Sequence, residues 1–206
     1  MTRIYLDHAA TAPLRPEVGE EYLRVAQKLG NANAIHTFGR DVRRVVDEAR
    51  EEIAFLLGAN PHEVIFTSGG TEADNLAIQG GWLASRSQRP RVAISEIEHS
   101  AVKDTADWIS TQFGAVVDEL LITTQGTLDV EHLRNHVQVH GSDIGYQPDV
   151  RSMHLRNHVQ VHGSDIGLIS VMWANNETGV VQPVKEITAL ATPHGIPVHS
   201  DAVQAV

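Results

Sequence analysis

Four short segments carry residue types suited to binding a small charged ligand and moving its protons. The first is Phe66-Thr67-Ser68-Gly69-Gly70-Thr71-Glu72-Ala73-Asp74-Asn75. Its glycine pair lets the backbone approach a ligand closely. The helix that follows begins with N–H groups that have no intrahelical partner. Those donors, the helix dipole and the Thr71 hydroxyl suit a phosphate. The same residues also describe an ordinary strand-to-helix turn capped by Ser68 or Thr71. The second segment is Glu96-Ile97-Glu98-His99-Ser100-Ala101. His99 can stack on a flat ring or move protons; equally, the segment is a helix start with Ser100 as its cap. The third is Trp173-Ala174-Asn175-Asn176-Glu177-Thr178-Gly179. Its paired asparagines can donate to a ligand oxygen or build Asx turns. The fourth is His199-Ser200-Asp201-Ala202-Val203-Gln204. Its carboxylate can pair with the nitrogen of a pyridinium ring or cap a helix.

The elements around these segments alternate. Strands are expected at Glu63–Thr67, Arg91–Ser95, Val116–Ile122, Leu168–Ala174 and Ile196–Asp201. Helices are expected at Pro16–Leu29, Asp41–Leu57 with Gly58 as its C-cap, about Ala73–Ser85, Ala101–Phe113 and Val184–Ala191. In Asp41–Leu57 the apolar stripe is Val42, Val45, Val46, Ala49, Ile53 and Leu56, the period of an amphipathic helix. Alternating strands and helices predict an α/β fold with a largely parallel sheet. The four segments then fall at strand carboxyl ends, where open α/β sheets bind ligands.

Composition narrows the class. A net charge of -10 and a pI near 5.6 argue against a nucleic-acid partner. No apolar run approaches the length of a membrane span, and the first residues do not form a signal peptide. The absence of cysteine excludes disulfides and fits a reducing, cytoplasmic setting. His132 to Gly145 recurs unchanged as His154 to Gly167, offset by 22 residues. Two perfect copies are too few for a solenoid, so the reading is a local duplication whose extra copy bulges out of the sheet as a loop or helical hairpin. Removing one unit leaves a smooth connection into Gly167-Leu168-Ile169. His132, His136 and His140, and again His154, His158 and His162, share a helical face. No carboxylate or cysteine partner is evident for them in the sequence, and no metal site is assigned.

Taken in order, six segments resemble the consecutive motifs of cysteine desulfurases, a class-V branch of the aminotransferase-like pyridoxal-phosphate (PLP) enzymes. They are Tyr5 to Pro13, Gly30 to His36 with Gly39-Arg40, Thr67 to Asn75, Glu98 to Val102, Asn175 to Gly179 and Asp201 to Gln204. The resemblance spans the chain apart from the duplicated insert. It implies an α/β PLP-dependent transferase large domain, a mostly parallel sheet with flanking helices, in truncated form. Residues 1–15 would belong with a small domain. Residues 16–206 would be an incomplete large domain carrying the duplicated 22-residue insert around 132–167.

The resemblance also implies roles. Gly70 and Thr71 hold the PLP phosphate. His99 stacks on the pyridine ring and assists proton transfer, as the one catalytic residue assigned. Asn176 lies near the phenolic oxygen or the substrate, Asp201 pairs with the pyridine nitrogen, and Gln204 binds the phenolic oxygen. Ala9, Ala10 and Asn33 match segments on the substrate side. There the chain departs from the family, which usually has Asn in place of His8 and Pro-Ser-Ser in place of Ala32-Asn33-Ala34.

The reaction implied is removal of sulfur from L-cysteine, giving L-alanine and a persulfide for iron–sulfur clusters or other sulfur transfer, through an acceptor or scaffold protein. A homodimer is implied for the full-length form. The three lysines, Lys28, Lys103 and Lys185, lie outside the family's Ser-x-His-Lys motif. The lysine that would form a Schiff base with the cofactor is therefore expected beyond Val206, with the nucleophilic cysteine and the carboxylate-binding arginine. The chain as given is expected to be inactive. The alternatives are another class-V activity, such as selenocysteine lyase or an aminotransferase, and a non-catalytic fragment that at most binds PLP or a partner subunit.

Overall fold

The structure is a computed structural model, and it describes residues 4–138 and 165–205. These divide into two compact units, residues 1–67 and 68–206.

The first unit contains helices α1 (Pro16–Ala26) and α2 (Thr37–Leu57). Pro16 at the first helical position sets the start of α1. Helix α2 begins four residues before the expected Asp41, because the His36 ring accepts the Gly39 N–H at 3.3 Å and serves as the cap. Its end is where the sequence places it: Gly58 adopts the left-handed conformation, with φ of 66°. The expected strand at Glu63–Thr67 does not form. Pro61–Glu63 is a 3-10 turn, and the Val64 N–H bonds back to the Pro61 carbonyl. Arg50 donates to the Val64 carbonyl, and Ile65 and Phe66 are exposed. Apolar, β-prone composition makes a strand only where a neighbouring strand pairs with it.

The second unit is a parallel sheet of β1 (Arg91–Ser95), β2 (Val116–Leu120), β3 (Ile166–Ser170) and β4 (Val198–His199), in the order β2-β1-β3-β4. Helices α3 (Gly70–Ser85) and α4 (Ser100–Phe113) cover one face, α5 (Val130–Gln138) and α6 (Val184–Ala191) the other. Alternation along β1 makes both cores: Val92 and Ile94 pack on Ile78, Trp82, Val102 and Ile109, while Ala93 faces Leu133, Ile169 and Ile187.

Strand β3 starts two residues before the expected Leu168, and its pairing with β1 slips at Gly167, the extra residue between the Arg91–Ile166 and Val92–Leu168 pairs. A Cβ at this position would collide with the Ser85 side chain and come within 2.8 Å of the Arg89 carbonyl. The regular part of β4 is shorter than expected, yet its ladder runs on, the Val171 and Trp173 N–H groups donating to the His199 and Asp201 carbonyls.

The duplicated segments meet the fold at their outer ends. His132 to Gln138, from the first copy, lies in α5, and Ile166 and Gly167, from the second, lie in β3 and so inside the sheet. Residues 139–164, including His140, His154, His158 and His162, lie outside the described residues, as does the expected hairpin. Among the described histidines, the His132 and His136 rings lie 5.5 Å apart. The sequence reading left them without a carboxylate partner. The fold brings one near, His136 Nε2 lying 3.5 Å from Asp118 Oδ2, without a hydrogen bond between them.

Candidate functional site

In a sheet ordered β2-β1-β3-β4, the chain leaves β1 toward one edge and β3 toward the other. The crevice between their carboxyl ends is the switch point at which such sheets bind ligands. Glu98 and His99 follow β1 across this crevice, Met172 to Asn175 follow β3, Asp201 follows β4, and the N-terminus of α3 lies in the same unit.

The start of α3 is built to hold an anion. Gly69 precedes the helix in an extended conformation, and the Ala73 N–H is the first to bond back, to the Gly69 carbonyl. Helix geometry leaves the preceding amides directed outward. A carboxylate already occupies part of this donor set: Glu72 Oε2 accepts both the Ser68 N–H and the Ser68 hydroxyl at 2.6 Å, and these bonds hold its pKa below the ordinary range. Gly70 sits close to the segment after β4, because a Cβ there would lie 2.9 Å from Val203 Cγ2. Thr71 is exposed at the same helix end.

His99, not Ser100, is the cap of α4. Its Nδ1 accepts the Ala101 N–H at 3.1 Å. That bond uses the Nδ1 lone pair, so a neutral His99 carries its proton on Nε2. The ring is otherwise exposed at the mouth of the crevice.

Of the paired asparagines, Asn175 is the structural one. It is buried, and its Oδ1 accepts from the Glu177 N–H, the Thr178 N–H and the Thr178 hydroxyl. Its amide donates to the Ile97 carbonyl at 3.3 Å, which ties the segment after β3 to the segment after β1. This turn leaves Asn176 exposed. Asp201 is half-buried, with Oδ1 accepting the Val203 N–H at 3.0 Å, and Gln204 lies beyond it, exposed. Ala9, Ala10 and Asn33 belong to the first unit. There the Ala10 N–H bonds to Asp7 and the Asn33 N–H to Asn31 Oδ1.

Beneath these residues lies a polar layer that the sequence reading did not single out. Glu98 is buried, and its Oε1 accepts the Ser95 hydroxyl and the Met172 N–H, both at 2.6 Å. Its Oε2 accepts the Ser170 hydroxyl at 3.3 Å. Ser170 Oγ is 2.9 Å from His199 Nδ1, and His199 Nε2 is 3.4 Å from Asp74 Oδ1. Burial pushes Asp74 up to about 6, helped by the negative charge of Asp201 and opposed by His99. Burial likewise raises Glu98, against its three donors and with the help of Asp201. Burial lowers His199, and Asp201 works against that shift. The charge of Asp201 thus acts on Asp74, Glu98 and His199, and that of His99 on Asp74. Glu98, Asp74 and His199 all stand inside the quoted motifs. Only the register that sets Ile94 beside Ser170 and Ser170 beside His199 brings them together.

The donor set fits PLP. The α3 amides and the Thr71 hydroxyl could receive a phosphate, the exposed His99 ring could stack on a flat ring, and the Asp201 carboxyl could meet a ring nitrogen.

Comparison with known proteins identifies the family. The aminotransferase class-V family model matches residues 4–144 and 148–206. An IscS-like cysteine desulfurase of Mycobacterium tuberculosis is 42% identical over 205 residues, covering 98% of this chain and 46% of that protein. A putative cysteine desulfurase, IscS 1, of Bacillus subtilis is 38% identical over 206 residues, covering 100% of this chain and 48% of its own. Among solved structures, a NifS-like protein superimposes with a TM-score of 0.81 at 28% identity, over 100% of this chain and 50% of that one. SspA in complex with cysteine gives 0.78 at 29% identity, over 98% and 51%. The chain spans about half the length of the curated relatives it matches.

Proposed function

The chain belongs to the aminotransferase class-V family, and from that premise we propose that its strand-end crevice is the cofactor site of a cysteine desulfurase acting on L-cysteine. Class-V aminotransferases and cysteine desulfurases are PLP-dependent enzymes. The cofactor, when bound, supplies the electron sink for the reaction. The residues of this chain bind and orient it. The first-turn amides of α3 at Gly70 and Thr71, with the Thr71 hydroxyl, hold the phosphate. Asp201 keeps a negative charge at the ring nitrogen, and Gln204 and Asn176 bind at the phenolic side. His99 lies against the ring. Its Nδ1 is engaged by Ala101, so Nε2 is the atom that holds or passes a proton.

The observation that carries this reading is the convergence of an anion-binding helix start, His99 and Asp201 at the switch point of a parallel sheet. In the full enzyme the site serves sulfur transfer to an acceptor or scaffold protein, in a homodimer and in the cytoplasm. Residues 1–206 alone contain no lysine in a Ser-x-His-Lys motif. They bind PLP without releasing sulfur from cysteine.

The test is equilibrium dialysis of the purified chain against PLP. Thr71→Ala and Asp201→Asn each weaken binding by about tenfold, the loss of one hydrogen bond to a charged group. Affinity unchanged in both variants overturns the site assignment. Sulfide release from cysteine by residues 1–206 with PLP present, abolished in His99→Ala, overturns the claim of inactivity.

A further inference from the structure

The buried chain of groups Asp74, His199, Ser170 and Glu98 poses a counting problem. Ser170 has one hydroxyl proton, and two acceptors compete for it: Glu98 Oε2 at 3.3 Å and His199 Nδ1 at 2.9 Å. If the proton points to Glu98, then His199 must carry its own proton on Nδ1 and donate to Ser170. In the neutral ring, which burial of His199 favours, Nε2 then faces Asp74 Oδ1 as a lone pair and Asp74 is protonated to meet it. If the proton points to His199, then Nε2–H donates to an ionised Asp74, and Glu98 must be protonated to donate to Ser170. The two arrangements hold the same number of protons. They differ by the shift of one proton along each of the three links.

We propose that Asp74, His199, Ser170 and Glu98 form a proton relay beneath Asp201, holding one proton and passing it between the two carboxyls by switching the tautomer of His199. Passage from Glu98 to Asp74 breaks the Glu98 O–H bond as Ser170 Oγ takes that proton. It breaks the Ser170 O–H bond as His199 Nδ1 takes the next, and the His199 Nε2–H bond as Asp74 Oδ1 takes the last. No oxidant or reductant takes part. The charged and titratable groups facing the relay are Asp201, which acts on Asp74, Glu98 and His199, and His99, which acts on Asp74. Ionising both carboxyls would put two further negative charges around Asp201, so retention of one proton follows from their proximity. Burial acts in the same direction on both.

For the chemistry, one neutral carboxyl remains beneath Asp201, so the charge offered to a ring nitrogen stays single. Asp74, His199, Ser170 and Glu98 are thus positioning residues. This last consequence rests on the reading of Asp201 given above; the relay itself does not.

Glu98→Gln gives a test with a fixed sign. The Ser95 hydroxyl and the Met172 N–H must meet the amide oxygen, so the amide nitrogen faces Ser170 and donates to it. Ser170 then donates to His199 Nδ1, and the ring is locked as the Nε2–H tautomer. Ring 15N NMR of cofactor-free protein reads this directly. In the wild type, both His199 nitrogens should show shifts averaged between the tautomers around pH 6. In Glu98→Gln they should be fixed as Nε2–H from pH 5 to 8, and the Asp74 titration should move to lower pH. A single fixed tautomer in the wild type overturns the relay, and that measurement needs no variant to fold. Unchanged His199 shifts in a folded Glu98→Gln protein overturn it as well. PLP affinity reports separately: averaged wild-type shifts, with binding indifferent to Asp201→Asn, support the relay and overturn only its link to the ring nitrogen.

Discussion

Glu98 and Met172 stand 74 positions apart in the sequence, and the Glu98 carboxylate accepts the Met172 N–H at 2.6 Å. This bond joins the carboxyl ends of β1 and β3 at the point where the two connections diverge. With Ser95 and Ser170 on the same carboxyl, it fixes the floor on which His99 and the 172–175 segment rest.

Removing that floor should be costly. Glu98→Ala leaves the Met172 N–H and the Ser95 hydroxyl buried without their acceptor, and each such group carries a desolvation penalty. The expected loss is about 3 kcal/mol in urea unfolding, with an unchanged denaturant slope. Glu98→Gln keeps the acceptor oxygen and should lose less than half of that. Equal losses in the two variants would show that Glu98 acts by packing volume alone.

Asp74 should make stability fall as pH rises. Its folded value is raised from 3.8 to about 6. Between those values the folded chain holds a proton that the unfolded chain releases, so stability is greatest below pH 3.8, declines through the window and levels above about pH 6. Asp74→Asn removes this slope. The variant should match the wild type near pH 4 and exceed it at pH 7 by about 1–2 kcal/mol. Glu98 contributes a slope of the same sign, so the comparison is between variant and wild type. Parallel curves for the two proteins would rule Asp74 out as the source.

At the opposite end of the sheet, Arg91 Nη1 meets Asp118 Oδ1 at 2.6 Å, with both side chains largely buried. Arg91→Ala strands the Asp118 carboxylate. Breaking a buried pair from one side costs about 3–5 kcal/mol. Chemical denaturation at neutral pH would show it, and a loss below about 1 kcal/mol would mean that the pair is no more than a surface ion pair in its effect.

Much of the fold was legible in the sequence because strand and helix periods are local. The burial of Val92, Ile94 and Ala93 on alternate faces follows from the pattern of β1 alone. Glu63–Thr67 shows the limit, since its composition suits a strand and none of the described strands pairs with it. Of the site, His99 and Asp201 stand out as polar residues just past apolar runs. Asp74 and His199 do not, because one occupies a helix and the other a strand, where a lone polar residue reads as surface. Their partnership exists only after β3 and β4 are placed side by side.

The repeat gives the last prediction. Deleting residues 139–160 joins Gln138 to Val161 and restores one uninterrupted copy, His132 to Gln138 followed by Val161 to Gly167. The residues used by α5 and β3 all remain, among them Leu133 and Val137 in the core and Gly167 at the pairing slip. Shortening a connection changes its closure entropy only slowly, by about 0.6 kcal/mol per halving of length. The shortened chain should therefore keep its circular dichroism spectrum and unfold within about 1.5 kcal/mol of the wild type, and its PLP affinity should not change. A loss of several kcal/mol, or of PLP binding, would mean that residues 139–160 contribute contacts of their own.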